Sequence, residues 1–241
     1  MTAIRTVNLT KKYKDLTAVD NLNLQINDGE LFALLGVNGS GKTTTIKMLS
    51  CLTMATSGEA YVGGNSVECD RFKIKQIIGV SPQETAVAPG LTVEENLEFI
   101  CGVHGYSKKE TEQKIKEISE RFGLKNILSK RAGKLSGGWQ RRVSIALALI
   151  SEPSILFLDE PTLGLDVIAR SELWELIRSL KGVATIVLTT HYMEEAEALS
   201  DRIGIMKDGK LLAVGTSEEL IDNTSADNFE NAFISIVKGA K

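Results

Sequence analysis

The segment Gly36-Val37-Asn38-Gly39-Ser40-Gly41-Lys42-Thr43 has the spacing G-x-x-x-x-G-K-[ST], and it constrains this chain more than any other feature. It follows an apolar run, Leu31–Leu35, and precedes a helix-compatible stretch over 43–52. A glycine-rich loop between a strand and a helix curls its backbone so that successive N–H groups point inward, at the positive end of the helix dipole. That geometry holds anionic oxygens. Lys42 adds a mobile positive charge for outer phosphates, and the Thr43 hydroxyl suits a Mg²⁺ ion. A chain with this loop binds a nucleoside triphosphate.

The rest of the composition narrows the class. At 241 residues with 43% hydrophobic content, the chain is large enough to bury a real core. A formal charge of −3 gives no electrostatic footprint for nucleic acid, so no nucleic-acid partner is expected. Cys51, Cys69 and Cys101 are odd in number and widely spaced, which points to reduced thiols and to neither a zinc site nor a disulfide framework. No stretch approaches the ~18–20 consecutive apolar residues of a spanning helix. The N-terminus Met1-Thr2-Ala3-Ile4-Arg5 reads as no signal peptide, so on its own the chain is expected to be soluble.

Patterning sketches an α/β fold. The first thirty residues read as β structure: Leu22, Leu24 and Ile26 alternate with Asn21, Asn23, Gln25 and Asn27 before an Asp28-Gly29 turn. Short apolar runs at Leu31–Leu35, 77–80, 155–158 and 185–188, separated by helical stretches, suit a buried and mostly parallel sheet. From Pro89 to Ile150 the pattern turns helical and polar, with Ile115, Ile118 and Phe122 marking one stripe of a charged helix over Lys108–Arg121. Lying between two core strands, this block reads as an inserted helical subdomain, at about 88–150 within a single domain spanning 1–241. Val167, Leu173, Leu176, Ile177 and Leu180 predict an amphipathic helix on the sheet. Lys207-Asp208-Gly209-Lys210 predicts a hairpin, Thr216 and Glu219 a capping box, and 229–237 a last helix.

Two further motifs complete a site. Ser154-Ile155-Leu156-Phe157-Leu158-Asp159-Glu160 is an apolar strand ending in two carboxylates. In a chain with a phosphate loop, the strand-terminal acid Asp159 is expected to hold Mg²⁺, and Glu160 to polarise the attacking water as general base. In Leu135-Ser136-Gly137-Gly138-Trp139-Gln140, a serine and two glycines open a helix over 140–150 and present a second set of free N–H groups to an anion. One phosphate loop needs no second anion-binding helix. Its presence suggests that another copy of the protein closes over the ATP.

At this point the chain resembles the nucleotide-binding (ATPase) subunits of ABC transporters, nearly end to end. Leu135-Ser136-Gly137-Gly138-Trp139 is similar to the LSGGQ signature, with Trp139 in place of the usual glutamine. The resemblance implies a P-loop NTPase core with a mostly parallel sheet, an N-terminal antiparallel β subdomain and the inserted helical subdomain. It implies that Tyr13 stacks on adenine with Val19 flanking the same ring, and that 36–44, including Thr44, cradles the phosphates. Gln83, in Ser81-Pro82-Gln83, resembles the Q-loop residue that completes the Mg²⁺ shell. Asp166, in Leu163-Gly164-Leu165-Asp166, resembles the D-loop residue that contacts the opposing subunit, or is the N-cap of the next helix, or both. His191, after the strand Thr185–Thr190, resembles the switch histidine that contacts the γ-phosphate; His104 has no such context.

The implied cofactors are ATP and Mg²⁺. The implied partners are a second ATPase subunit, in a homodimer or heterodimer, and a separate transmembrane permease, which would place the chain peripherally on the cytoplasmic face of the membrane. Two subunits would sandwich two ATP molecules, with Ser136, Gly137 and Gly138 of one facing the phosphate loop of the other. The segments Leu91-Thr92-Val93-Glu94-Glu95-Asn96-Leu97 and His191-Tyr192-Met193-Glu194-Glu195-Ala196-Glu197 look like those of bacterial multidrug, daunorubicin and sodium export ATPases. Export is therefore favoured over the alternatives, an importer subunit or a soluble ABC ATPase.

Overall fold

In the computed structural model, residues 1–239 are described. The first half contains β1 (Thr2–Tyr13), β2 (Leu16–Asn27), β3 (Leu31–Leu35), α1 (Lys42–Leu49), β4 (Ser57–Val62), β5 (Asn65–Ser66), α2 (Arg71–Ile77), β6 (Ile78–Ser81), α3 (Val93–Val103) and α4 (Lys108–Arg121). The second contains α5 (Gly137–Leu149), β7 (Ile155–Asp159), α6 (Val167–Ser179), β8 (Thr185–Thr190), α7 (Met193–Leu199), β9 (Arg202–Lys207), β10 (Lys210–Gly215), α8 (Ser217–Thr224) and α9 (Phe229–Gly239).

Two sheets carry the architecture. The first is antiparallel, in the order β2-β1-β4-β5, and the second has the order β10-β9-β3-β8-β7-β6. In the second sheet β9, β3, β8, β7 and β6 run parallel and only β10 is antiparallel. The apolar runs explain this. β3, β7 and β8 are buried at every residue, so both faces of the sheet must be covered. Alternation then sorts the side chains: Leu31, Ala33, Leu35, Leu156, Leu158, Ile186 and Leu188 pack with α3 to α7 on one side. Phe32, Leu34, Ile155, Phe157 and Val187 pack with β1, β2 and α1 on the other.

The helical block sits where its sequence indicates, between β6 and β7. Ile115, Ile118 and Phe122 are its buried stripe. Thr92 and Ser107 each open their helix with a reciprocal capping box, to Glu95 and Glu110 respectively. The capping box of Thr216 and Glu219 opens α8, and Lys207-Asp208-Gly209-Lys210 joins β9 to β10.

Four details depart from the sequence reading. The strand expected at 77–80 is β6, which begins at Ile78, because Ile77 closes α2. The first helix stops at Leu49 rather than running to 52, its cap Ser50 donating its hydroxyl back to Ile46 O at 2.7 Å. The helix after the serine-glycine motif starts at Gly137, not Gln140. On α6, Leu173 and Ile177 face the core whereas Val167 is 77% exposed; six positions before Leu173 it points about 240° round the helix. Among the described residues, no helix is long and apolar enough to cross a membrane.

Register brings the chemistry to one edge. Leu35 pairs with Thr190 and Asp159 with Thr189, so β3, β7 and β8 end at the same level. Ser81, the last residue of β6, pairs with Leu158 beside them. The loops after these four strands carry 36–42, Gln83, Glu160 and His191 to the carboxyl edge of the sheet, where ligands bind in open α/β folds.

Candidate functional site

The phosphate loop runs directly from β3 into α1. Its turn depends on glycine at two points in particular. A Cβ at Gly36 would stand 2.4 Å from Met206 O, and one at Gly41 would stand 2.5 Å from Ala18 O with φ at +104°. Gly41 is also the N-cap of α1, so no side chain blocks the first N–H groups of that helix, and its first turn carries no acid to compete for them.

These elements enclose a cavity of about 570 Å³ lined by Tyr13, the loop residues 38–44, Gln83, Glu160 and His191, together with Leu16, Thr17, Ala18, Leu163 and Asp208. Tyr13, 44% exposed, stands at the end of β1 with Lys11 Nζ 4.8 Å from its ring centre. Gly36 lies behind the cavity wall, its N–H bonded to Thr190 O at 3.2 Å, and Val37 points to solvent. Val19 does not line the cavity: it is fully buried on the core face of β2, beneath Gly41. Leu16, Thr17 and Ala18, which precede it, line the cavity instead.

The floor is a network of buried charge. Lys42 Nζ donates to Gly36 O at 2.7 Å and to Val37 O at 3.2 Å, and lies 3.3 Å from Glu160 Oε1. His191 Nδ1 is 2.7 Å from Glu160 Oε2. Both Lys42 and Glu160 are about 5% exposed, so each needs the other. Asp159 Oδ1 accepts from Thr43 Oγ1 at 3.0 Å and from Thr189 Oγ1 at 2.5 Å. Glu160 takes the left-handed backbone conformation, φ +49°, which few non-glycine residues adopt. Its N–H is bonded to both Thr189 O, at 3.1 Å, and Thr189 Oγ1, at 3.0 Å, which holds that turn.

Gln83 is positioned from the helical block. Arg141 on α5, 4% exposed, donates Nη1 to Pro82 O at 2.6 Å and Nη2 to Gln83 O at 2.5 Å. Nothing in the local sequence around Gln83 announces this clamp.

The oxygens present suit Mg²⁺. Thr43, Asp159 and Gln83 supply one hydroxyl, one carboxylate and one amide oxygen. Among the described residues no group of three or more His, Cys, Asp and Glu forms a metal cage. A few protein oxygens completed by phosphates and water are how Mg²⁺ is ordinarily bound.

Ser136, Gly137 and Gly138 are not in this cavity. Ser136 and Gly138 line a separate hollow with Trp139, Arg142, Ala169, Glu172 and Leu173. Ser136 and Gly137 are exposed, the Ser136 hydroxyl makes no capping bond, and the start of α5 therefore opens to solvent. A Cβ at Gly138 would lie 3.1 Å from Ala169 Cβ, so glycine lets α5 approach α6 here. Asp166 caps α6 by accepting from Ile168 N at 3.0 Å and Ala169 N at 2.9 Å.

Residues 19–163, more than half of the chain, match the family model described as ABC transporter. The chain belongs to the ABC transporter family. It is 43% identical over 98% of its length to the probable multidrug ABC transporter ATP-binding protein YbhF of Escherichia coli, of which it spans 42%. It is 38% identical over 97% of its length to the linearmycin resistance ATP-binding protein LnrL of Bacillus subtilis, of which it spans 75%. Its fold superposes with a TM-score of 0.79 and 30% identity on a dimeric ATP-binding cassette solved in a post-hydrolysis state with ADP and Pi, covering 88% of this chain and 98% of that one. The cavity at the carboxyl edge is lined mainly by residues of the matched span, 38–44, Gln83, Glu160 and Leu163.

Proposed function

We propose that this ABC ATPase hydrolyses ATP to power a membrane exporter, through closure of two nucleotide-binding subunits around ATP. The observation that carries this reading is the division of the chemistry. Lys42, Thr43, Glu160 and His191 share one network, whereas Ser136, Gly137 and Gly138 form an exposed helix start elsewhere on the same chain. Two such chains, arranged head to tail, complete each other's sites. The dimeric cassette of like fold supports this arrangement, and the resistance and multidrug names of the relatives support export.

The residues then take these roles. Tyr13 offers its open ring face to the base. Backbone N–H groups of 38–44 take the phosphates. Lys42 exchanges the carbonyls of Gly36 and Val37 for phosphate oxygens, which also loosens its hold on Glu160. Glu160, with Oε2 fixed by His191, turns its other oxygen to a water and takes its proton. Thr43, Asp159 and Gln83 would hold Mg²⁺, which when bound offsets the charge of the phosphates. Loss of the bridging γ-phosphate reopens the pair, a ligand-driven two-state switch. Asp166 stands beside α5 to meet the opposing subunit. The permease partner would hold the chain at the cytoplasmic face of the membrane.

Affinity capture of this protein from detergent-solubilised native membranes tests the assignment. A multi-spanning membrane protein is the expected partner. Recovery of soluble partners alone would contradict the reading.

A further inference from the structure

Outside the nucleotide cavity, unsatisfied polarity concentrates where α6 and α7 meet the loop after β7. Glu195 on α7 is fully buried, and a carboxyl at that depth depends on specific partners. Its Oε1 accepts from Trp174 Nε1 on α6 at 3.0 Å. Its Oε2 has no hydrogen-bond partner among the described residues, and the same is true of the Thr162 hydroxyl and Arg170 Nε, all buried atoms. Such orphans are few in a native protein and call for a reason.

The position explains them. The hydroxyls of Thr190 and Thr162 stand near enough to the Glu195 carboxyl to oppose the effect of its burial, although Oε2 and the Thr162 hydroxyl stay short of a hydrogen bond. Thr190 Oγ1 accepts from Tyr192 N at 3.0 Å. Thr190 immediately precedes His191, while Thr162 lies in the loop that leads to Asp166. A second path runs over the top: the Arg170 guanidinium lies 4.8 Å from the Tyr192 ring centre, and that ring lies 4.0 Å from the ring of His191. Burial pushes the Glu195 carboxyl up from the ordinary glutamate range, and the charge of Glu160 acts the same way. The charge of Arg141, buried on α5, is felt by Asp159 first and by Glu195 second.

We propose that Glu195 is a positioning residue, tying the loop that carries Asp166 to the turn that carries His191 so that the His191–Glu160 bond tracks the state of that loop. The spare capacity at Oε2, Thr162 and Arg170 lets this junction change partners without burying a new charge. The proposal rests on the roles given above to His191 and Glu160.

The chain has two histidines, so ring signals of histidine-labelled protein report His191 directly, with the exposed His104 as internal reference. Glu195→Ala is expected to shift the His191 signals, leave those of His104 in place, and lower kcat about tenfold or more while KM for ATP changes little. Glu195→Gln keeps an acceptor for Trp174 and a neutral donor, and is expected to restore both. If Glu195→Ala does not fold, Thr162→Val carries the test with the same His191 shift. A purely structural role would lower the melting temperature with His191 signals and kcat intact, and that result overturns the proposal, as does a Gln variant as impaired as Ala. The two readings fail separately: turnover surviving Glu160→Gln overturns the base, whereas unmoved His191 signals overturn the role of Glu195.

Discussion

His191 Nδ1 lies 2.7 Å from Glu160 Oε2, on a carboxylate whose other oxygen faces Lys42 Nζ at 3.3 Å. On the proposed role of Glu160 as base, the imidazole fixes which of its oxygens is left for a water. His191→Ala removes that constraint without removing the base, and turnover is expected to fall about 10²-fold with ATP affinity retained. Steady-state kinetics beside equilibrium ATP binding checks the split between the two.

Lys42 is folded back onto the carbonyls of Gly36 and Val37. Lys42→Ala takes away the charge that would otherwise swing to the phosphates. A charge-assisted hydrogen bond is worth about 1.5–3 kcal/mol, so ATP affinity is expected to fall at least about tenfold. Titration with a fluorescent ATP analogue measures it, and unchanged affinity would count against the cradle.

Arg141 bridges Pro82 O and Gln83 O from a buried position on α5. Arg141→Ala strands both carbonyls, at about 1–3 kcal/mol each where no water replaces the guanidinium. Arg141→Lys is expected to recover less than half of the loss, because an ammonium lacks the fork that reaches both oxygens. Urea denaturation midpoints at constant m-value read both effects.

Glu195 gives a pH signature. Its folded-state carboxyl titrates above the ordinary glutamate range because it is buried. The stability present below that range, where folded and unfolded chains are both protonated, is lost as pH rises through the raised folded value, because the unfolded chain ionises first. Glu195→Gln has no proton to lose. The melting temperature of the variant relative to wild type is expected to climb from about pH 4.5 upward and then level off. A difference flat with pH would contradict a buried carboxyl.

Much of this site is legible in the sequence because its chemistry lies in short contiguous motifs. The loop 36–43, the acids after β7 and the histidine after β8 each follow an apolar run, and the parallel register brings those run-ends to one edge. What escaped is what depends on side-chain phase or on distant segments. Val19 falls on the core face of β2, and the first residues of that strand, 16–18, line the cavity instead. Leu163 and Asp208 reach the cavity from loops far apart in the chain. The strand β4 was not anticipated, since half of its six residues are exposed and Ser57-Gly58-Glu59 carries no apolar alternation. The Arg141 clamp joins residues 58 positions apart or more, and no local pattern encodes it.

On the function proposed above, Glu160 takes the proton of the attacking water. Single-turnover ATP hydrolysis by Glu160→Gln, with ATP binding measured on the same preparation, tests it most directly. The amide cannot accept that proton, so hydrolysis is expected to slow by about 10²–10⁴-fold while ATP still binds. Hydrolysis at the wild-type rate would contradict the assignment.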